Sequence, residues 1–314
     1  MKPQDIRDAF FEEMLLLAQK DPNVIFLTAD MGAFALEHFK KELPERYINM
    51  GVAEQNMISV AAGLALSGKK VFVHSIIPFV TARCYEQIKI DLCCMKLPVV
   101  IVGIGAGLTY AGDGPTHHGI NDIALMRSLP NMTIFSPSDA PSTRAACRMA
   151  YRDHNPVYVR LEKGVLPEVY DEHHDDFALG FKMLREGRDV TILSSSFMTH
   201  QACAAADILQ ERGFSVMIID VLRLKPLNID AVEPILRNSR LLVTVEEHSL
   251  VGGLGSLIAE CLADRDIAVP LRRLGIGDAH CFEPLSRGEL QAIYGLSVGD
   301  IVKVVEEAKT KFKE

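Results

Sequence analysis

Short runs of apolar, β-favouring residues recur along the chain, with longer helical patterns between them. Val24 to Leu27, Val71 to Val73, Val99 to Val102, Met132 to Phe135 and Val157 to Val159 form a first series. Few polar residues alternate within these runs. That suits strands buried on both faces of a parallel sheet, because a sheet with one wet face would read as apolar–polar alternation. A second series follows Gly187: Val190 to Leu193, Val216 to Ile219 and Leu241 to Val245. Helical stretches such as Thr199 to Arg212 separate its runs, with Gly213 as a stop. Between the two series, residues 162–188 are acidic and without clear period, and they include the run Asp171 to Asp176. The pattern predicts an α/β fold of two domains with mainly parallel sheets flanked by helices. The expected division is a first domain over 1–165, a surface linker over 166–186 and a second domain over 187–314.

Composition narrows the function. A length of 314 residues is comfortable for two cores. The net charge of -8 argues against a binder of nucleic-acid backbones, which needs a basic face. No basic stretch followed by an apolar core opens the chain, so no signal peptide is expected. One long uncharged run, Leu97 to Gly112, contains Pro98 and four glycines. It is shorter than the roughly 20 apolar residues of a membrane helix. Seven cysteines without a C-x-x-C pair read as free thiols, which points to a reducing cytoplasm.

Two glycine clusters suggest phosphate loops and fail the test of context. Gly103, Gly105 and Gly107 follow a predicted strand, but the stretch from Leu108 to Pro115 reads as a loop where a dinucleotide site needs a helix. Gly112-Asp113-Gly114 resembles the opening of the motif with which thiamine enzymes hold diphosphate and magnesium, but Asn121 and Asn131 come too early to close it. The diphosphate half of such a site is therefore expected to be missing.

The strongest chemical signal is a lone acid. The stretch Met57 to Leu66 is apolar except for Ser59, which predicts a buried helix. Glu54 stands at its mouth, where a carboxyl is costly unless it has a partner or a task. Capping its own helix N-terminus is the plain alternative. The segment Pro44 to Asn56 resembles one in transketolases and deoxyxylulose-phosphate synthases that carries a Glu at this position. A second block agrees: Asp113-Gly114-Pro115-Thr116-His117, then Ile123 to Arg127, Pro130 to Met132 and Pro137 to Asp139. A third, Val243 to His248 followed by Gly252, Gly253 and Gly255, resembles the family's C-terminal domain.

The resemblance spans nearly the whole chain and implies the C-terminal half of a split transketolase. It implies thiamine diphosphate as cofactor, with Mg2+ held mainly by a separate partner chain carrying the diphosphate-binding domain. Two copies of each chain would then form a heterotetramer. Glu54 would bond the aminopyrimidine N1′ and stabilise the imino tautomer that deprotonates the thiazolium, and burial is expected to favour its protonated form. Phe79 and Arg83 would line the cofactor, although alignment on Arg83 sets Val80 rather than Phe79 opposite the family's aromatic. Asp113 and His117 would contact sugar hydroxyls, with His117 also moving protons. His74, at the end of a strand, is expected to face the same site, and Arg160 and Lys163 fall where relatives bind phosphate. Near Gly105, where relatives carry a His or an Arg, this chain offers no such side chain. His248 and its glycines read as structural. The expected reaction moves a two-carbon ketol unit from a ketose, expected to be phosphorylated, to an aldose. The alternatives are a deoxyxylulose-phosphate-synthase-like activity, the beta subunit of a 2-oxo-acid dehydrogenase, and a non-catalytic regulatory or assembly subunit.

Overall fold

The structure is a computed structural model that describes residues 4–311 except 172 and 174, so Glu172 and His174 of the acidic run lie outside it. The described strands are β1 (Val24–Thr28), β2 (Tyr47–Asn49), β3 (Lys70–Ile76), β4 (Val99–Ile104), β5 (Thr133–Phe135), β6 (Val157–Leu161), β7 (Lys182–Arg185), β8 (Val190–Ser194), β9 (Val216–Asp220), β10 (Arg223–Lys225), β11 (Leu242–Ser249) and β12 (Leu271–Ile276). They form two sheets, ordered β10-β5-β6-β4-β3-β1-β2 and β12-β11-β8-β9-β7. All neighbours are parallel except β10 on β5 and β7 on β9. Every predicted run became a strand. The four strands that sequence missed are β2, β7, β10 and β12.

Two of the missed strands cross the expected domain division. Lys182–Arg185 falls inside the expected linker but pairs antiparallel with β9, so it is an edge of the second sheet. Arg223–Lys225 follows β9 in sequence but pairs antiparallel with β5, so the second half of the chain closes an edge of the first sheet. Both are edge strands of three or four residues, with no alternation to betray them.

The first sheet has apolar cover on both faces. Phe10, Phe11 and Met14 of helix Ile6–Lys20 pack on Phe26 and Phe72. On the other face, Met57, Ile58 and Ala61 of helix Glu54–Leu66 join a cluster that continues into Ile219, Val221 and Ile258 of the second domain. The expectation that Met57 to Leu66 is buried all round is corrected: Ser59, Gly63 and Leu66 are exposed. With Gln55 and Asn56 they form an exposed stripe down helix Glu54–Leu66. Val52, Leu66, Ile90 and Met95 extend this face as exposed apolar residues.

Candidate active site

Three connections leave the carboxyl ends of β2, β3 and β4 and converge. This is the edge at which open parallel sheets offer a crevice to ligands. The first connection carries Glu54 as the opening residue of its helix. Its carboxyl makes no cap hydrogen bond to that helix. Instead it is 3% exposed and accepts a 2.8 Å bond from Arg83 Nη1, with Ser75 Oγ at 3.4 Å from the other oxygen. The buried carboxyl therefore has a partner in Arg83, whose side chain is 42% exposed.

The second connection carries Phe79. Val80 is fully buried in the core, whereas Phe79 is half-buried with its ring turned toward the cleft. Arg83 lies 4.3 Å over that ring, and His117 meets it edge-on at a centroid distance of 5.0 Å. The third connection carries Asp113 and His117. Tyr110 also meets His117 edge-on, at 6.2 Å, and Lys163 lies 5.4 Å over the face of Tyr110. The imidazole thus contacts two rings, each faced by a cation. His117 Nδ1 lies 2.9 Å from Thr116 Oγ1, and Asp113 is exposed on the same loop. Sequence reasoning missed Tyr110. A Cβ on Gly105, whose φ is +94°, would lie 2.3 Å from Tyr110 Cε2. The tyrosine ring therefore covers the place left by the absent side chain.

Two expected site residues are elsewhere. His74 is fully buried between Phe11 at 4.9 Å and Phe26 at 6.3 Å, and its Nδ1 donates to the Val102 carbonyl at 3.3 Å. Burial pushes its pKa down to about 4. Successive strand residues face opposite sides, so with Ser75 turned toward Glu54, His74 must face the core. Arg160 is also buried, and its Nε and Nη2 are taken. Nε reaches Asp122 at 2.9 Å, and Nη2 reaches the carbonyls of Gly119 at 2.9 Å and Glu247 at 3.1 Å. It ties the two domains together and has no donor aimed at the cleft in these contacts. Lys163 is exposed on the rim.

The corresponding edge of the second sheet is filled by protein. Asp220, at the end of β9, accepts from Ser138 Oγ at 2.6 Å and Tyr170 Oη at 2.7 Å, and it is fully buried. Glu246 accepts from the backbone N–H groups of Leu254 at 2.6 Å and Gly255 at 2.8 Å, at the start of helix Leu254–Asp264. Burial raises its pKa to about 7 despite those bonds. A Cβ on Gly253 would lie 2.0 Å from Glu246 Oε2 and 2.7 Å from His248 Nδ1. His248 Nδ1 donates to Ser249 O at 2.8 Å, and Nε2 accepts from Ala124 N at 3.4 Å. Burial holds His248 down near 4, so it is a neutral structural bridge between domains. Among the described residues, no group of three or more His, Cys, Asp or Glu side chains is placed to hold a metal ion.

The transketolase pyrimidine-binding domain matches residues 2–168, and the transketolase C-terminal domain matches residues 180–301. An apulose-4-phosphate transketolase subunit of Phocaeicola vulgatus is 37% identical over 96% of each chain. A 6-deoxy-6-sulfo-D-fructose transketolase subunit of a Clostridium species is 38% identical, covering 96% of this chain and 94% of that one. A solved split gene transketolase, described as an inactive beta4 tetramer, superposes with a TM-score of 0.88 at 36% identity and covers 98% of both chains. The chain belongs to the transketolase family, as a pyrimidine-binding domain joined to a transketolase C-terminal domain.

Proposed function

We propose that this chain is the C-terminal subunit of a split, thiamine-diphosphate-dependent transketolase. One observation carries the reading: a nearly fully buried carboxyl, Glu54, opens onto the cleft that also holds Phe79, Arg83 and His117. The residues fit the pyrimidine half of the cofactor. Glu54 offers a carboxyl in a site with little water, Phe79 a ring face, and Arg83 a half-exposed partner that keeps the carboxyl oriented. When bound, the cofactor supplies the carbon nucleophile that carries the ketol fragment. Glu54 holds the proton at the pyrimidine nitrogen, with a weight of roughly 10²–10⁴ in rate for acid–base help of this kind. His117, in contact with Phe79 and Tyr110, accepts and returns a sugar hydroxyl proton, and Asp113 orders neighbouring hydroxyls. Lys163 is the cation left at the rim for an anionic sugar terminus once Arg160 is spoken for.

The reading includes a partner chain that supplies the diphosphate-binding domain and the oxygen ligands of Mg2+. The exposed stripe of helix Glu54–Leu66, with Val52, Ile90 and Met95, is the face assigned to it, in an assembly of two copies of each chain. All seven cysteines are free, in keeping with the cytoplasm, and no described helix is long and apolar enough to cross a membrane. The test is to purify this chain alone and measure thiamine diphosphate binding by calorimetry and ketol transfer by assay, then add the partner. The expected result is weak binding and no turnover alone, with both restored by the partner. Tight binding and full activity of the isolated chain would sink the split-enzyme reading.

A further inference from the structure

We propose that Arg287, in the second domain, is a positioning residue for the loop that carries Asp113 and His117, and that it acts through Glu247 and Glu162. The kinetic arm of the test rests on the ketol-transfer reading, and the structural arm does not.

The loop stands on two feet. At the first, Leu108 N donates to Glu247 Oε2 at 2.8 Å and Thr109 Oγ1 to Glu162 Oε2 at 2.5 Å. At the second, Gly119 exchanges backbone bonds with Gly107 at 2.8 and 3.0 Å, and Ile120 O accepts from Ser249 N at 2.8 Å. The N–H of Leu108 therefore finds its acceptor in the far domain. The contact is also closed to adjustment. A Cβ on Gly107, whose φ is +59°, would lie 2.2 Å from Glu247 Oε2, so the carboxyl fills the space beside the loop's base.

Glu162 follows β6 and Glu247 lies within β11, and both are buried. Two buried carboxylates aimed at one short segment repel unless a cation divides them. Arg287 does so with bonds to both. Its Nε and Nη2 reach Glu247 at 3.0 and 2.7 Å, and its Nη1 and Nη2 each reach Glu162 at 3.1 Å. The guanidinium lies 3.8 Å over the ring of Phe197, which fixes its plane. Ser196 Oγ donates to Glu162 at 3.0 Å and Gln291 Nε2 to Glu247 at 2.5 Å. A planar fork can serve two carboxylates at once, and an ammonium is a point charge that cannot match that geometry. Loss of the fork lets the two carboxylates part and takes fixed acceptors from Leu108 and Thr109. His117, eight residues further along from Thr109, then loses its registry against Phe79. None of the atoms bonded to Arg287 belongs to the cleft residues, so its effect on the reaction is indirect.

The experiment compares the full chain with Arg287→Lys and Arg287→Met, by amide hydrogen exchange over residues 105–119 and over β4 and β11. In the assembled complex it also measures kcat/KM for the sugar and the affinity for thiamine diphosphate. Arg287→Lys is expected to fold, to keep cofactor affinity within about twofold, and to exchange faster in residues 105–119 alone by about tenfold. Sugar kcat/KM should fall roughly 10- to 100-fold, the scale of a misplacement near 1 Å. Arg287→Met should move the same readouts further. Loop exchange and kcat/KM both within about twofold of wild type in Arg287→Lys would overturn the proposal. So would exchange that rises equally in β4, β11 and the loop, which would make Arg287 a fastener between domains and nothing more. If Arg287→Met does not fold, the Lys variant decides. If the wild-type complex shows no ketol transfer, the functional reading fails, and loop exchange still decides the positioning claim.

Discussion

The two sheets are built alike and used in opposite ways. Each ends, at the carboxyl edge of its parallel strands, in the crevice where α/β folds bind ligands. In the first, that edge carries Phe79, Arg83 and His117, which are partly open to solvent, around the buried Glu54. In the second, Ser194, Asp220, Glu246, Glu247 and His248 crowd the same edge and all are buried. The first domain supplies the filling: Ser138 bonds Asp220, and Arg160 reaches the Glu247 carbonyl. A crevice becomes a site when its polar groups are left with bonds to make. It becomes a seam when protein satisfies them, because a buried polar group without a partner costs about 1–3 kcal/mol.

Four measurements put this contrast at risk. The largest effect is expected at the open edge. Glu54→Gln should leave fold and assembly intact and lower ketol transfer by roughly 10²–10⁴-fold, since an amide cannot hold and relay the proton. Activity within about threefold of wild type would remove Glu54 from the mechanism. Next, His117→Ala should reduce sugar kcat/KM by roughly 10²–10³-fold with thiamine diphosphate affinity kept. Collapse of cofactor affinity with normal sugar kinetics at saturation would show that His117 has been misplaced.

The sealed edge should answer in stability instead. Burial raises the Glu246 pKa from 4.5 to about 7, so the folded chain holds that proton more tightly than the unfolded one. The sign follows: stability from this group is full below about 4.5 and is lost as pH rises to about 7. The loss is up to about 3 kcal/mol. Denaturant titrations of wild type and Glu246→Gln across that window should diverge by this slope, and parallel curves would refute it. The smallest effect is expected from Gly253→Ala. Its Cβ would press on a Glu246 oxygen 2.0 Å away, which is held by two backbone donors. The cost should be about 1–3 kcal/mol, seen as a lower Tm with kcat unchanged at a temperature where the variant is folded.

Much of the open site was legible because its signals are local. Glu54 is an acid before an apolar helix, and Asp113 to His117 is a short contiguous motif. The second series of strands was legible for the same reason, as runs of four or five apolar residues. What failed was nonlocal. Whether His74 faces Glu54 or Phe11 depends on strand register, and one residue of register exchanges the two faces. Arg160 could be read as an anion ligand only while Asp122 and the Glu247 carbonyl were unseen, and the latter is 87 residues away. Tyr110 gave no signal at all. Its role comes from a positive-φ glycine that makes room for the ring. The glycines of the third block do permit close approach, but what approaches, Glu246 for Gly253 and Ala124 for Gly252, belongs to the folded chain alone.

The exchanged strand β10 bears on how such a polypeptide can be divided. Arg223–Lys225 closes the β5 edge of the first sheet, and Leu222 O receives the N–H of Ser136 at 2.8 Å. A gene broken between the two domains would yield a first half with a bare strand edge and a second half with three residues bereft of their sheet. Bare edges invite pairing with other chains. Division of the chain between the two sheets therefore breaks a sheet as well as a connection.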